Sequence, residues 1–425
     1  MELAADPWAL ARRLHGRPGL AFLPSDPRGA LRPSDAASSF LASDPVEQSS
    51  LLLPPEAEID RGWAGASAAP RWVGVLPYEA FRSLERPRWT PLETRAEPWM
   101  SRPRWSRYDA VLRVDHETGH VVLEADDSSA ADRMLARLAT PPRAPSPVTL
   151  STPSVDEPDE AHAVRIRRAL AYIAQGDLYQ VNLARRIRMS LQGDAQDFFE
   201  QLFAGAPAPY GFFFSTLAGV VAAASPELAL EVRGDLLRTA PIKGTRPRGA
   251  DADLDARLAR ELEASEKERA ELTMAVDLHR NDLGRVARPG SVRVLGAPVL
   301  RAGSTVWSRV AEVVATRDLG VSTSSVLEAA LPCGSVTGAP KVRAMEIIAE
   351  LEAHRRGLYT GAFGYVGRDG GVCLAMAIRT AVVREGTVEY FAGGGIVAES
   401  DPEREVEETR WKASHLSGVR RKVGR

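Results

Sequence analysis

The succession of short strands in the second half of the chain is the feature that most restricts its fold. Four apolar runs follow one another with only turns between them: GFFFSTL, GVVAAAS, LALEVRG and LRTAPI. A similar group follows in TGAFGYVGRDG, VCLAMAIRTAVVREG and TVEYFAGGGIVA. Consecutive strands joined by tight turns pair as antiparallel hairpins, whereas parallel strands need a long crossover, usually a helix. The sequence therefore predicts an α+β fold with largely antiparallel sheets flanked by helices.

A change in composition divides the chain. Residues 139–160 read ATPPRAPSPVTLSTPSVDEPDE, a run rich in proline, serine and threonine that can bury little apolar surface. Because such a run is typical of a connection, we predict an N-terminal subdomain over 1–138, a linker over 139–158 and a larger domain over 159–425. In the first segment, DAVLRVDHETGHVVLEAD has two alternating runs around residues 117–119, which predicts a β-hairpin.

Composition excludes several classes of protein. A formal net charge of −2 over 425 residues provides no broad basic surface, so we expect no nucleic-acid partner. No apolar run reaches the roughly 18–20 residues that cross a bilayer, and the N-terminus lacks the apolar core of a signal peptide. The two cysteines, Cys333 and Cys373, are too few for a disulfide framework and are typical of a reducing compartment. We therefore expect a cytoplasmic protein without a membrane partner.

Two acidic helices could form a metal site. Glu268 and Glu271 are three residues apart in EKERAELTM, and Glu405 and Glu408 have the same spacing in EREVEETRWK. Residues three or four apart share one face of a helix. Two such faces opposed would bring four carboxylates together, which suits Mg²⁺, an ion that binds one or two carboxylates directly and others through water. The same spacing is typical of solvent-exposed glutamates, and the pattern alone leaves both interpretations open.

Two glycine-rich turns precede helices and could bind an anion. Gly393, Gly394 and Gly395 lie between a predicted strand and the second acidic helix, and LPCGSVTGAPKVRAME places Gly334 and Gly338 just before another helix. Unshielded backbone N–H groups at a helix N-terminus bind carboxylate or phosphate well. The spacing fits neither a P-loop nor a dinucleotide fingerprint. Tight turns that bind nothing would have the same composition.

A lysine and a glutamate at strand ends could react with a bound molecule. Lys243 is followed by a glycine in TAPIKGTRPRG, and Glu227 begins the strand LALEV, whose hairpin partner we predict to end at Lys243. A carboxyl group and an amine on adjacent strands can act together, because the acid protonates a leaving group while the amine attacks. The alternatives are a lysine whose ammonium reaches solvent and a glutamate exposed at a strand start.

Eight segments, in order, resemble motifs of the chorismate-utilising enzyme family. They cover roughly residues 159–415 and are GDLYQVNLARR, SPELAL, PIKGTRPRG, SEKERAELTMAVDLHRNDLGRV, LPCGSVTGAPKVRAMEIIAELE, RRGLYTGAFGYVGRDG, AIRTAVV and AGGGIVAESDPEREVEETRWKA. The family includes the first components of anthranilate synthase and aminodeoxychorismate synthase, and the isochorismate and salicylate synthases. The resemblance implies two interleaved subdomains whose antiparallel sheets form a sandwich, with chorismate bound in a catalytic domain over 159–425.

Two positions distinguish the reactions within this family. Lys243 stands in PIKGT, the form typical of aminodeoxychorismate synthase component I, where anthranilate synthases have a small residue. Gln180 stands where isochorismate and salicylate synthases have a lysine that acts as a base. The sequence is therefore most similar to the enzyme that converts chorismate and ammonia to 4-amino-4-deoxychorismate for p-aminobenzoate and folate synthesis.

The resemblance implies a partner. The ammonia would come from a separate glutamine amidotransferase subunit, component II, because no nucleophilic-cysteine glutaminase motif occurs in the chain. Two alternatives stay open: anthranilate synthase component I, and a divergent paralogue that binds chorismate or an amino acid with little turnover.

The resemblance also implies roles for the residues already singled out. Lys243 would attack the ring of chorismate while Glu227 protonates the departing 4-hydroxyl group. Mg²⁺ would be bound directly by Glu271 and Glu408. Glu268 and Glu405 would hold it through water molecules. The substrate carboxylates would be bound by Arg379, Tyr359, Lys412, Ser335 and the N–H groups of Gly394 and Gly395. The helix that bears the first metal ligands would be fixed by Asp277, Arg280, Asn281 and Asp282.

Two departures from the family pattern concern catalysis and regulation. A segment of the form TV-x-H-L-V-S supplies a histidine near the substrate ring in the family, and here STVWSRVAEV places Ser308 at that position. Serine exchanges hydrogen bonds but cannot act as a base near pH 7. The segments FLPSDPRG (22–29) and PAPYGFFF (207–214) lie where family members form a tryptophan inhibitor site, and the first of them matches poorly.

Overall fold

The computed structural model describes residues 6–55, 59, 67–82, 96–413 and 416. The first elements in chain order are α1 (Pro7–Arg13), β1 (Ala21–Leu23), a 3-10 helix (Pro33–Ala36), β2 (Ser38–Ala42), β3 (Glu47–Ser49), β4 (Pro70–Leu76), α2 (Tyr78–Arg82), β5 (Arg104–Arg107), β6 (Ala110–Asp115), β7 (Val121–Ala125), α3 (Ser128–Leu138), β8 (Thr149–Leu150) and β9 (Ser154–Val155). The central elements are α4 (Asp159–Ala174), β10 (Gln180–Gln192), α5 (Ala195–Gly205), β11 (Tyr210–Thr216), β12 (Gly219–Ser225), β13 (Leu228–Arg233), β14 (Leu236–Ala240) and β15 (Ile242–Pro247). The last elements are α6 (Ala252–Ala264), α7 (Glu266–Gly284), β16 (Arg293–Val294), β17 (Val299–Ala302), β18 (Val306–Val310), β19 (Val313–Thr316), α8 (Thr323–Ala330), α9 (Gly334–Thr337), β20 (Gly338–Ala339), α10 (Lys341–Leu351), β21 (Ala362–Gly367), β22 (Val372–Met376), β23 (Thr380–Arg384), β24 (Thr387–Ile396) and α11 (Pro402–Ala413).

The strands of the described residues pair into two large sheets and one small sheet, and their pairings are antiparallel. The first sheet has the order β20-β10-β24-β23-β12-β11-β1-β2-β6-β7, with β8 and β9 added to β10. The second has the order β16-β19-β14-β13-β22-β21-β4-β5-β3, and the small sheet is β15-β18-β17. The predicted α+β class with antiparallel sheets is confirmed.

The two large sheets face each other, and helices cover their outer faces. Phe212 and Phe214 of the first sheet share one apolar core with Val75 and Phe363 of the second, whereas Phe213 points to the opposite face of its sheet. Helices α1, α3 and α5 pack on the outer face of the first sheet, and α7 and α8 on that of the second. Helices α4, α10 and α11 pack against β10 and the end of β24. This arrangement is the predicted sandwich.

Each large sheet combines strands from both sides of the proline-rich segment. The first sheet contains β1, β2, β6 and β7 from the N-terminal part, and the second contains β3, β4 and β5. The segment predicted as a linker holds β8 and β9, which add to β10 through pairs such as Leu150 with Leu191. It is therefore bound along a sheet edge, although its composition is that of a connection. The limits 1–138, 139–158 and 159–425 stay a prediction.

Turns and caps near the ends of elements follow from the local sequence. Strands β6 and β7 form the hairpin predicted around residues 117–119, with Ala110 opposite Ala125 and Val114 opposite Val121. The first helix after the proline-rich segment begins at Asp159, and α7 begins after Ser265, whose hydroxyl accepts the N–H of Glu268 at the helix start. None of the helices in the described part of the chain is both long and apolar enough to cross a membrane.

Candidate active site

A cavity of about 350 Å³ opens between β15, β24, the turn α9, and helices α7 and α11. Helix α7 packs on β15, and helix α11 packs on β24. Each of the two acidic helices therefore borders the cavity beside one of its strands. Most of the predicted site residues line this cavity: Glu227, Lys243, Glu268, Glu271, Ser335, Tyr359, Arg379, Gly395, Glu405, Glu408 and Lys412. Segments far apart in the chain therefore meet at one place.

Lys243, Ser335 and Glu227 form a hydrogen-bonded series in the cavity wall. The Nζ of Lys243 donates to the carbonyl oxygen of Ser335 at 3.0 Å, and the Oγ of Ser335 donates to Oε1 of Glu227 at 3.1 Å. Glu227 is only 3% exposed, so it is no solvent-facing residue at a strand start. The amine and the carboxyl group are thus held on one wall by the same residue.

The predicted strand partnership of these two residues is wrong in one respect. In the hairpin β13–β14, Leu228 lies opposite Ala240, and the pairing stops there. Pro241 has no N–H to donate and separates β14 from β15, so Lys243 belongs to the small sheet, where β15 pairs with β18. The lysine still lies near Glu227, because the chain has advanced only a few residues beyond the hairpin.

Burial shifts both of these groups toward their neutral forms. It raises the pKa of the Glu227 carboxyl to about 7, although Lys243 and the hydrogen bond from Ser335 oppose the shift. Burial lowers the pKa of the Lys243 amine, with Lys412 acting in the same direction and the carboxylates of Glu271 and Glu227 opposing it. A protonated acid and a neutral amine are the forms that can donate a proton and attack a carbon atom.

The raised pKa of Glu227 makes the free energy of unfolding depend on pH. Because the pKa of Glu227 is about 7 in the folded protein and about 4.5 when unfolded, the native state binds more protons between these pH values, and stability falls as the pH rises through them. Glu227→Gln removes this dependence. We expect the variant to gain up to about 3 kcal/mol over the wild type between pH 4.5 and 8. Urea unfolding at both pH values measures the difference, and a pH dependence equal to that of the wild type would contradict it.

The four predicted metal ligands face the cavity, and three of them pair with cations. The pairs, at N···O distances of 3.2, 3.8 and 2.5 Å, are Arg246–Glu268, Lys267–Glu271 and Lys412–Glu408. Burial alone would raise the pKa of Glu408, but the contact with Lys412 lowers it overall. In the described part of the chain, no three acidic, histidine or cysteine side chains already form a group that could hold a metal ion.

Glu405 provides the test of whether the cavity suits Mg²⁺. Its Oε1 accepts a hydrogen bond from the Ser400 hydroxyl at 2.7 Å, whereas its buried Oε2 has no hydrogen-bond partner. Burial raises the pKa of this carboxyl group. A Cβ on Gly394 would lie 2.7 Å from the same Oε2, so the Glu405 carboxylate lies directly against the glycine turn. A carboxylate oxygen without a hydrogen-bond partner, in a cavity that three more glutamates line, fits a hydrated Mg²⁺ held partly through water.

Arg379, like Lys243, lines the cavity without an acidic partner at ion-pair distance among the described residues. It has a positive φ of 49°, which is rare outside glycine and is characteristic of functional positions. Burial lowers the pKa of its guanidinium. Tyr359 lies nearby, stacked on Phe391 with ring centroids 5.4 Å apart, and burial raises the pKa of its hydroxyl. A half-buried guanidinium with free donors is a strong site for a carboxylate.

Three predicted residues lie beside the cavity rather than in its wall. Gly394 faces the acidic helix, as its contact with Glu405 shows. Gln180 is buried behind Gly395, where an added Cβ would meet its Nε2 at 2.9 Å. Ser308 is buried on β18 opposite Thr245, and Thr245 lines the cavity in its place.

The motif VDLHRNDL contains both buried and exposed residues of α7. Asp282 is buried and pairs with Lys341 at 2.7 Å, which ties α7 to α10. Asp277 and Arg280 pair with each other at 2.8 Å, and both side chains are more than half exposed, so this pair does not face the cavity. Asn281 lies on the outer side of α7 as well.

The sequence prediction missed two cations at the cavity. Arg246 and Lys267 line it and pair with the glutamates of α7. Both belong to segments already recognised, PIKGTRPRG and SEKERAELTM, and the spacing of four between Lys267 and Glu271 is that of a helical ion pair. That spacing was a usable signal.

A second cavity of about 360 Å³ lies where the segments 22–29 and 207–214 meet, between the two large sheets. Its wall includes Ser25 and Asp35 from the N-terminal part, and Tyr210, Phe212 and Tyr365 from the sheets. Asp35 is fixed by Arg238, whose guanidinium donates two hydrogen bonds of 2.7 Å to its carboxylate.

The fold, together with the cavity lined by Lys243 and the four glutamates, defines a chorismate-utilising enzyme. The sequence pattern of the chorismate binding enzyme family matches residues 26–418, and the chain belongs to this family. The crystal structure of anthranilate synthase component I from Streptococcus pneumoniae TIGR4 is similar, with a TM-score of 0.78 at 26% identity, covering 90% of this chain and 92% of that one. The menaquinone-specific isochorismate synthase of Escherichia coli, at 18% identity, shares the fold alone, with a TM-score of 0.77 over 98% and 91% of the two chains.

Relatives with two different activities are about equally similar. Anthranilate synthase component 1 of Streptomyces coelicolor is 40% identical over 380 residues, which cover 82% of this chain and 72% of the relative. Aminodeoxychorismate synthase component 1 of Klebsiella aerogenes is 38% identical over 346 residues, which cover 81% and 76%. Overall identity therefore does not separate the two reactions, and the residues of the cavity must do so.

Proposed function

We propose that this chain is the chorismate-aminating first component of an aminodeoxychorismate synthase. The observation that carries the proposal is the amine of Lys243, which lies in the cavity wall with Glu227 under conditions that favour the neutral form of both groups. A direct attack of ammonia or water on the ring needs no amine at this position. A two-step displacement through a lysine adduct needs one.

Chorismate would bind through its two carboxylates. Arg379, without an acidic partner in the described residues, would take one of them as a guanidinium–carboxylate pair. The other donors at the cavity are Lys412, the hydroxyl group of Tyr359 and the N–H group of Gly395, whereas the Ser335 hydroxyl already donates to Glu227 and Gly394 lies beside the cavity. Lys412 already donates to the carbonyl oxygen of Gly393 at 2.8 Å, which holds it at the glycine turn.

The proposed reaction uses Lys243 and Glu227 in both steps. First, the neutral amine forms a C–N bond at C2 of the ring, the two ring double bonds shift from C1–C2 to C1–C6 and from C5–C6 to C4–C5, and the 4-hydroxyl leaves C4 as water with the proton of Glu227. Ammonia then forms a C–N bond at C4, both double bonds shift back, and Lys243 leaves C2 as a neutral amine. The added nitrogen gives its extra proton to the Glu227 carboxylate. The sum is chorismate plus ammonia to 4-amino-4-deoxychorismate plus water, with both residues restored.

Mg²⁺ is the proposed cofactor. Glu271 and Glu408 would bind it directly, and Glu268 and Glu405 would hold its water molecules. When bound, the ion would withdraw negative charge through the ring carboxylate of the substrate. The unsatisfied Oε2 of Glu405 supports this arrangement, because a metal-bound water would give it the donor that it lacks.

The ammonia would come from a glutamine amidotransferase subunit. The two relatives described above are both named component 1, which supports a second component. A high concentration of ammonium salt can replace such a subunit in an assay, because it supplies free ammonia. The chemistry of this chain can therefore be tested without its partner.

Product analysis tests the proposed function. The protein is incubated with chorismate, Mg²⁺ and ammonium, with and without an aminodeoxychorismate lyase, and the products are separated by chromatography. We expect p-aminobenzoate only when the lyase is present. Anthranilate or isochorismate as the product would contradict the proposal, and binding of chorismate without any product would favour a paralogue with little turnover.

The four glutamates should differ in their effects on metal binding. Glu268→Gln and Glu405→Gln should raise the Mg²⁺ concentration for half-saturation about 10- to 100-fold, as expected for groups that orient ligands. Glu271→Gln and Glu408→Gln should raise it more, because each removes a direct ligand. The Mg²⁺-dependent shift of the melting temperature measures saturation without turnover. The reverse order of effects would contradict the assignment of direct ligands.

A further inference from the structure

Arg309 is a buried cation whose side chain binds the end of a helix. It is 7% exposed, and its Nη2 donates to the carbonyl oxygens of Leu262 and Glu263 at 2.7 and 2.6 Å. Within the described residues, no carboxylate pairs with it. A buried guanidinium needs compensation, and the negative end of a helix dipole supplies part of it.

The helix end that Arg309 binds lies next to the start of the following helix. Helix α6 ends at Ala264 and α7 begins at Glu266, so Ser265 alone joins them. The last carbonyl groups of α6 have no partners inside the helix and must bind other donors. Arg309 is one such donor, and Arg269 is another, with a hydrogen bond of 3.3 Å to the Glu263 carbonyl oxygen. The junction is therefore fixed from the side of β18.

The same junction contacts the strand of Lys243 and Glu268, the first predicted metal ligand along α7. Arg309 lies opposite Lys243 in the pairing of β18 with β15. Gly244, with a φ of 74°, follows Lys243, and a Cβ there would lie 2.9 Å from both the Leu262 side chain and Oε2 of Glu268. Only glycine fits between them. Lys243, the junction and Glu268 thus form one packed unit.

We propose that Arg309 is a positioning residue, which holds the α6–α7 junction against the strand of Lys243 and so sets the position of the carboxylates at the start of α7. This inference rests on the proposed function, because it assigns those carboxylates to the metal. It gives Arg309 no contact with the substrate. A shift of the junction by a fraction of an ångström would move Glu268 and Glu271 together.

Arg309→Met tests the proposal, with Arg309→Lys as the conservative variant. Methionine keeps an apolar stem but donates no hydrogen bond, so the two carbonyl groups lose their donor. We expect the Mg²⁺ concentration for half-saturation, read from the melting temperature, to rise about 10-fold in Arg309→Met. Hydrogen exchange of residues 262–271 should also become faster. Lysine, which can donate to the same oxygens, should restore a large part of both properties.

Arg248→Met is the matched control. Arg248 fixes the other end of α6 to the small sheet, through hydrogen bonds of 2.8 and 2.7 Å to Asp255 and of 2.8 Å to the Gly303 carbonyl oxygen. Its loss should lower the melting temperature without changing Mg²⁺ saturation or exchange at residues 262–271. Equal effects of both variants on these properties would overturn the proposal. If the wild type shows no Mg²⁺-dependent shift, the metal assignment fails, and the exchange comparison still decides the role of Arg309.

Discussion

Lys243→Ala is expected to abolish the formation of 4-amino-4-deoxychorismate, with kcat falling on the order of 10³-fold or more. The reason is that alanine removes the nucleophile while leaving the cavity, the acidic helices and Arg379 in place. Chorismate binding, measured by its effect on the melting temperature, should change much less than kcat. Turnover comparable to the wild type would contradict the covalent role.

Two further observations separate a nucleophile from a cation that only attracts the substrate. Lys243→Arg keeps a positive charge but has no neutral amine near pH 7, so it should be as inactive as the alanine variant. With chorismate and Mg²⁺ but no ammonia, the wild-type protein should accumulate an adduct with the mass of chorismate minus water. Mass spectrometry after digestion should find that adduct on Lys243. Activity in the arginine variant, or an adduct on another residue, would assign Lys243 an electrostatic role instead.

Local periodicity predicted the acidic helices well. A spacing of three on a helix fixes which side chains share a face, and Glu268, Glu271, Glu405 and Glu408 do line one cavity. The fold class was predictable for a similar reason, since consecutive strands without helices must pair with their neighbours. The pairing of three glutamates with cations was partly accessible, because the spacing of Lys267 and Glu271 is that of a helical ion pair.

Contacts between distant segments were not predictable in the same way. The position of Lys243 depends on β18, which follows much later in the chain, and Pro241 gives no sign of which sheet the next strand will join. Only the place of Ser308 in a motif indicated a position near the substrate, and in the structure its pairing partner Thr245 lines the cavity instead. The role that we assign to Arg309 depends on helix carbonyl groups, which leave no trace in residue type.

Glu227→Gln is expected to reduce kcat by about 10²- to 10⁴-fold, because glutamine cannot protonate the departing hydroxyl group. In the wild type, the pKa of about 7 for Glu227 means that the acid is increasingly ionised above neutral pH, so kcat should fall there. The lowered pKa of Lys243 sets the acidic limit of the pH profile, since kcat should rise with pH as this amine loses its proton. The alkaline fall should disappear in the glutamine variant, together with most of the rate.

Ser335→Ala tests whether Glu227 is the group whose ionisation lowers kcat at alkaline pH. The hydroxyl of Ser335 donates to the Glu227 carboxylate at 3.1 Å and lowers the pKa of this group. Without it, the pKa of Glu227 should rise further, and the alkaline fall of kcat should move to higher pH. Glu227→Asp, which keeps an acid on a shorter side chain, should recover part of the activity that the glutamine variant loses. If the alkaline limit stays unchanged in Ser335→Ala and survives in Glu227→Gln, the group that titrates there is not Glu227, and the leaving group is protonated by another residue of the cavity.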